Sequence, residues 1–192
     1  WQRGVEESGA AWTESQMQRA IARYRKLFGE APKTHAAAGW QMNPHALRLT
    51  QRLGFGFASD TRGTHPYIPV WNAEIVLCPQ LPTTLPTLDE LLDRDGCGVD
   101  TVHERLLALT AETPSAGHVF TLRAELEGQR LLPVFSKLLE GWKAQGYELV
   151  SLSGLLESID ASRLPRHEVV RGKVPGRRGT LMLQGPEFLA EA

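Results

Sequence analysis

Apolar residues recur at helical spacing over Met17, Ala20, Ile21, Tyr24, Leu27 and Phe28, and Gly29 stops the run. Ahead of them, Thr13-Glu14-Ser15-Gln16 has the form of a capping box, so an amphipathic helix is expected to start there. A short apolar stretch at about Thr34 to Ala38 reads as a strand. Asn43 and Pro44 suit the cap and first turn of a second helix, carried by Leu47, Leu49 and Leu53 and closed at Gly54. Phe55 to Ser59 reads as the next strand, and Tyr67 to Trp71 and Glu74 to Cys78 are apolar enough for two more. The proline-rich CPQLPTTLP must be a loop, because proline cannot donate to a ladder.

Thr87-Leu88-Asp89-Glu90 forms another capping box before a short helix. Val102, Leu106 and Leu109 carry a helix over residues 100–111. A strand at His118 to Arg123, a helix at Pro133 to Gln145, a strand at Tyr147 to Leu152 and a helix near Gly154 to Ile159 follow. The end of the chain, HEVVRGKVPGRRGTLMLQG, is rich in Gly and Arg and follows neither period. Strands alternating with helices predict an α/β fold with a mainly parallel sheet, in a barrel or partial barrel. The leading helix has no strand before it, which predicts an open sheet edge and a missing amino-terminal part.

In such folds ligands sit at the carboxyl ends of strands. Two strand ends carry chemistry here. The first runs into Ala36-Ala37-Ala38-Gly39-Trp40, and the second into Ser59-Asp60-Thr61-Arg62-Gly63.

Composition narrows the classes. The 192 residues are 42% hydrophobic, the size of one domain with a substantial core. The 21 Lys and Arg nearly balance the 22 Asp and Glu, so no global field recruits nucleic acid or an anionic membrane. Cys78 and Cys97 fall in no metal-ligand spacing and are too few for a disulfide framework, which fits a reducing, cytoplasmic setting. No apolar run approaches the roughly 18 residues of a membrane-spanning helix. The six histidines make no i, i+4 pair. Of these, His35 and His65 fall near the two strand ends.

AAAGW (36–40), SDTRG (59–63), LPTTLPTLDE, TLRAELEG and VVRGKVPGRRG, in this order, resemble the NodB-type polysaccharide deacetylase family, in a branch that deformylates a lipid-linked amino sugar for lipid A modification. The resemblance implies a distorted, incomplete (β/α) barrel over 1–164, lacking its amino-terminal strands, with 165–192 as a Gly/Arg-rich extension. It implies hydrolysis by a divalent metal held by one Asp and two His, with a second Asp as general base. The Asp pair and the His-x-x-x-His motif would lie before the position of Trp1, so no residue of this chain is expected to bind that metal and the chain alone is expected to be inert.

By the same resemblance, Ala38 and Gly39 let backbone approach the sugar and Trp40 walls it, while Asp60 orients the general acid, with Arg62 beside it. Arg123 stands where the family has the general-acid His. A guanidinium with a pKa above about 12 does not donate a proton, and losing a general acid costs roughly 10²- to 10⁴-fold. Arg123 could instead pair with Asp60 or hold a phosphate. Glu125 lies inside the same motif as a substrate contact. Arg177 and Arg178, with Arg171 and Lys173, cluster among glycines, a composition that could hold the lipid phosphodiester this resemblance implies; the pathway it implies lowers surface negative charge and gives polymyxin resistance, with a peripheral place on the inner membrane. A non-catalytic carbohydrate or lipid-phosphate binding relative is the alternative, favoured by Arg123. A glycosidase would have to use Asp60 and Glu125.

Overall fold

The computed structural model describes residues 4–189 apart from 93, 95 and 115; the outermost residues of the polar start and of the tail extension lie outside that set. The described chain forms two compact units, residues 1–82 with 160–172 and 180–192, and residues 83–159 with 173–179.

In the first unit, helix α1 (Ala10–Phe28) begins at Gly9, one turn ahead of the predicted box. Thr13 is inside the helix, its hydroxyl donating to the Gly9 carbonyl at 2.9 Å. Position 13 is therefore wanted for its buried bond and not as a cap. Strand β1 (Thr34–His35) is shorter than expected, because the chain turns into a 3₁₀ segment at Ala38–Trp40. Helix α2 (Pro44–Arg52) is capped by Asn43, whose Oδ1 accepts from the Ala46 N–H at 2.8 Å. The Asn43 amide also donates to Val5 O at 2.7 Å and to Thr13 Oγ1 at 2.9 Å, tying the starts of α1 and α2 together.

Strand β2 (Phe57–Ala58) pairs in parallel with β1, His35 opposite Ala58. Strands β3 (Ile68–Trp71) and β4 (Glu74–Ile75) form a hairpin across Asn72 and Ala73, both at positive φ as a twisted two-residue turn requires. The core packs Met42, Leu47, Leu49, Phe55, Ala58, Tyr67 and Met182 together.

The glycine- and arginine-rich end corrects the expectation that it follows no period. It supplies β5 (Arg166–Gly172) and β6 (Leu181–Glu187), an antiparallel pair, with β5 parallel to β3. A bulge between His167 and Val169 shifts the alternation, which hides the strand from a period-two reading. The resulting sheet order β4-β3-β5-β6 is mixed, not mainly parallel, and no closed sheet forms among the described residues.

The second unit is helical: α3 (Leu88–Leu91), α4 (Val102–Leu109), α5 (Ala124–Glu127), α6 (Leu132–Ala144) and α7 (Leu152–Glu157). Leu88, Val102, Leu106, Leu138 and Trp142 form its core. Residues 118–123 and 147–151, expected as strands, are not strands. The first run is held by the Val119 carbonyl, which accepts from the Thr84 and Leu85 N–H groups. In the second, Glu148, Leu149 and Val150 are exposed and no ladder partner lies beside them among the described residues.

Candidate functional site

The two parallel strand ends meet in the first unit. Asp60 lies two residues beyond β2 and is wholly buried. Its Oδ1 accepts from His35 Nδ1 at 2.7 Å and from the Ala37 N–H at 2.8 Å. Its Oδ2 accepts from the Gln80 amide at 3.2 Å, while Gln80 Oε1 accepts from the Asp60 N–H at 2.9 Å. A carboxylate is acceptor-only, so this network places the proton on His35 Nδ1 and leaves Nε2 to face outward from the pair.

Burial alone pulls the His35 imidazole down, but the Asp60 charge and its hydrogen bond outweigh that, and His35 titrates above its ordinary value. His35, with Thr34, Ala36, Ala38 and Phe55, lines a cavity of about 800 Å³ that α1 borders with apolar residues such as Met17 and Ile21 and with the cations Arg19, Arg23 and Lys26. Tyr67, hydrogen-bonded to Thr61 Oγ1 at 2.8 Å, is pushed far up by burial and stays protonated beneath the site.

Arg62 is held through its backbone, whose N–H donates to Met182 O at 2.9 Å and whose carbonyl accepts from the Gln184 N–H at 2.7 Å. Its guanidinium carbon lies 4.8 Å from the Trp40 ring centre, a cation–π contact. Trp40 is 5% exposed, so as placed its ring serves Arg62 and shows little area outward. Both Gly39 and Trp40 take positive φ, 61° and 56°, so the indole is presented by strained backbone. Ala38 is exposed and Gly39 half-buried.

The other expected site residues are in the second unit. Arg123 makes ion pairs with Asp89 and Glu125, each at 3.4 Å, and its N–H donates to Glu127 Oε2 at 2.8 Å. Glu125 is exposed, and the buried Glu127 folds back as the cap of α5. Arg177 Nε donates to Glu90 Oε1 at 2.6 Å, so its charge is engaged with a buried carboxylate. Arg178 is exposed. The structure thus brings together Ala38, Gly39, Trp40, Asp60 and Arg62 in one unit, and Arg123, Glu125, Arg177 and Arg178 in the other.

Reading the sequence placed His35 near the strand ends without giving it a role, and missed Gln80. His35 carried a signal: it closes the strand preceding the one that leads to Asp60, with one helix between, which in a right-handed parallel unit makes the two strand ends neighbours. Gln80 carried none, since it comes from the proline-rich loop.

A divalent metal finds no ready holder here. Among the described residues no group of three or more His, Cys, Asp or Glu could hold an ion, and both Asp60 oxygens are committed to the donors named above.

The chain superimposes on a polysaccharide deacetylase structure from Mycobacterium smegmatis with a TM-score of 0.66 and 18% identity, over 90% of this chain and 65% of that one. It is 30% identical over 184 residues to a Shewanella sediminis protein that carries the name 4-deoxy-4-formamido-L-arabinose-phosphoundecaprenol deformylase, ArnD, a match covering 96% of this chain and 58% of the relative. A Wigglesworthia glossinidia brevipalpis protein of the same name is 26% identical over 78% of this chain and 51% of its own length. The chain therefore spans little more than half of each of these relatives. No family model matches it. By sequence the chain is related to these ArnD-named deformylases, and its fold is that of a polysaccharide deacetylase.

Proposed function

We propose that this chain carries part of the reaction centre of a hydrolase that removes a formyl group from a lipid-linked amino sugar, the activity named for its relatives. One observation supports this most: Asp60, buried and triply hydrogen-bonded, orients His35 at the end of the neighbouring strand. An imidazole so held can pass a proton near neutral pH. The departing amine needs a proton, and Arg123 has none to give. His35 is the group we assign to that delivery, from Nε2, while Asp60 holds the opposite nitrogen and steadies the charged ring.

Ala38 and Gly39 are the proposed sugar contacts, with Trp40 packed behind them against Arg62. The architecture we propose is a partial, distorted (β/α) barrel. A divalent metal, when bound in a family member, polarises the amide carbonyl and activates water. The described residues of this chain do not form its ligand set, so what they contribute is proton handling and substrate contact. No His-x-x-x-His occurs in the 192 residues, and the chain by itself is proposed to lack deformylase activity. Its substrate would be a lipid-linked phosphodiester, met peripherally at the cytoplasmic face of the membrane through Arg178 and Lys173. No helix among the described residues is long and apolar enough to cross a membrane. Resistance to cationic peptides such as polymyxin is the proposed role.

The test joins this chain to the portion of the Shewanella relative that its match leaves uncovered and measures formate released from the lipid-linked formamido sugar. Release that falls steeply on His35→Gln supports the reading. A folded, metal-loaded hybrid that releases no formate, or one indifferent to His35→Gln, overturns it.

A second reading has its own support: Arg123 is tied into ion pairs with Asp89 and Glu125 in place of an acid. On that reading the chain is a non-catalytic carbohydrate or lipid-phosphate binder. Retention of the substrate by the hybrid without turnover would favour it.

A further inference from the structure

A pair of histidines sits between the loop after Arg62 and strand β5. His65 Nε2 and His167 Nε2 are 3.1 Å apart, with the rings nearly perpendicular. At that distance a hydrogen bond is the ordinary expectation, yet the surroundings leave no proton for it.

His167 Nδ1 is 2.9 Å from the Gly185 carbonyl, which only accepts, so the His167 proton is on Nδ1 and its Nε2 carries a lone pair. The orientation of Gln184 settles His65. Gln184 Oε1 accepts from the Thr64 N–H at 2.7 Å, which fixes its amide nitrogen toward His65 Nε2 at 3.0 Å. An amide nitrogen only donates, so His65 Nε2 accepts, and its proton is on Nδ1, facing Thr64 Oγ1 at 2.9 Å. Two acceptor nitrogens therefore face each other across 3.1 Å, His65 Nε2 spending its lone pair on the Gln184 N–H, which a metal ion would displace.

Such a pair is repulsive unless a cation is shared between the nitrogens. A proton is one candidate, but burial and the neighbouring His167 hold His65 below its ordinary value, against the pull of Glu187, which raises it. A transition metal is the other. With metal–nitrogen bonds of about 2.0–2.1 Å, the 3.1 Å separation subtends roughly 100° at the ion, between the square and tetrahedral angles. Both imidazoles already have their remote nitrogens hydrogen-bonded, as metal-ligating histidines almost always do. Both are half-buried and open to solvent. Glu187 is opposite His167 in the β5–β6 register, so a negative charge lies nearby.

We propose that His65 and His167 form a two-imidazole site for a borderline divalent transition ion such as Cu²⁺ or Zn²⁺, with water filling the remaining positions. It is separate from the metal centre that the deacetylase resemblance implies, and it stands whether or not the proposed function does. Sheet geometry builds it: β5 and β6 bring His167 and Gln184 to the loop that carries His65. Copper should bind more tightly than zinc, following the usual order for nitrogen ligands.

The probe is CuCl₂, and then ZnCl₂, added to the 192-residue chain at pH 7.5 and followed by calorimetry and by NMR of the imidazole resonances. Saturable binding of one ion, with the His65 and His167 signals broadened by Cu²⁺ ahead of those of the other four histidines, is expected. That binding should be lost in His65→Ala and in His167→Ala, kept in His103→Ala, and lost in the unaltered chain below about pH 5.5 as protons displace the metal. The amide spectrum of each variant reports whether it is folded, and His65→Gln is the substitute should His65→Ala not fold. Absence of saturable binding, binding that survives loss of either histidine in a folded variant, or equal broadening of all six histidines overturns the proposal.

Discussion

His35 Nδ1 lies 2.7 Å from Asp60 Oδ1, and the carboxylate is buried while the imidazole borders a cavity. Because folding raises the His35 pKa, the folded state binds that proton more tightly than the unfolded chain, where His titrates near about 6.5. The stabilisation is fully present below about pH 6.5 and is lost as pH rises through the higher folded value. NMR titration should show His35 moving into the folded-state range above 6.5, and in Asp60→Asn it should fall below 6.5. Asp60→Asn should also cost on the order of 3 kcal/mol in urea unfolding. A titration midpoint unchanged by Asp60→Asn would contradict the pairing.

Arg62 over Trp40 is a partly desolvated cation–π contact. Arg62→Lys keeps the charge but loses the flat guanidinium face, and is expected to lower stability by about 1 kcal/mol. Trp40→Leu removes the ring and should cost more, although relief of the unfavourable backbone at position 40 offsets nothing, since Leu is no better suited to positive φ. Chemical denaturation of both variants checks the order.

Arg177 and Arg178 are neighbours with different duties. Arg177 neutralises Glu90, which is 1% exposed and also caps α3 by accepting from the Thr87 N–H at 3.1 Å. Removing it takes the cation away from a buried carboxylate, so Arg177→Ala is expected to lose about 3–5 kcal/mol. Arg178→Glu should leave stability within about 0.5 kcal/mol and weaken association with anionic vesicles at low salt. Vesicle sedimentation beside thermal unfolding separates the two; equal destabilisation by both variants would refute the division.

Gly176 has φ of 85°, and a Cβ added there would clash with the Glu90 backbone carbonyl. Gly176→Ala thus combines left-handed strain with a backbone clash, and a loss exceeding about 2 kcal/mol is expected from thermal melts. Gly154→Ala, in a helix where the added carbon meets ordinary contact distances, should be close to neutral or stabilising.

Helices with caps were readable in advance: Asn43-Pro44 and Thr87 through Glu90 start α2 and α3 where their chemistry demands. Thr13 misled because a hydroxyl near a helix start can as well bond backward into the first turn. Asp60 and Arg62 were visible as strand-end residues, and the deacetylase resemblance was carried by intact pentapeptides. What stayed hidden depended on tertiary pairing. The bulge after His167 masked β5, the Val119 carbonyl diverted a predicted strand into loop contacts, and Gln80 reaches Asp60 from a loop that no periodicity marks.

Gln80 grips Asp60 at both backbone and side chain, while its own main chain is bonded to Tyr67 from either side. The aim of the imidazole at position 35 is thus set from a residue that itself handles no proton. On the role proposed for His35, damage at position 80 would present as misdirected proton transfer in a molecule whose reactive groups were all still in place.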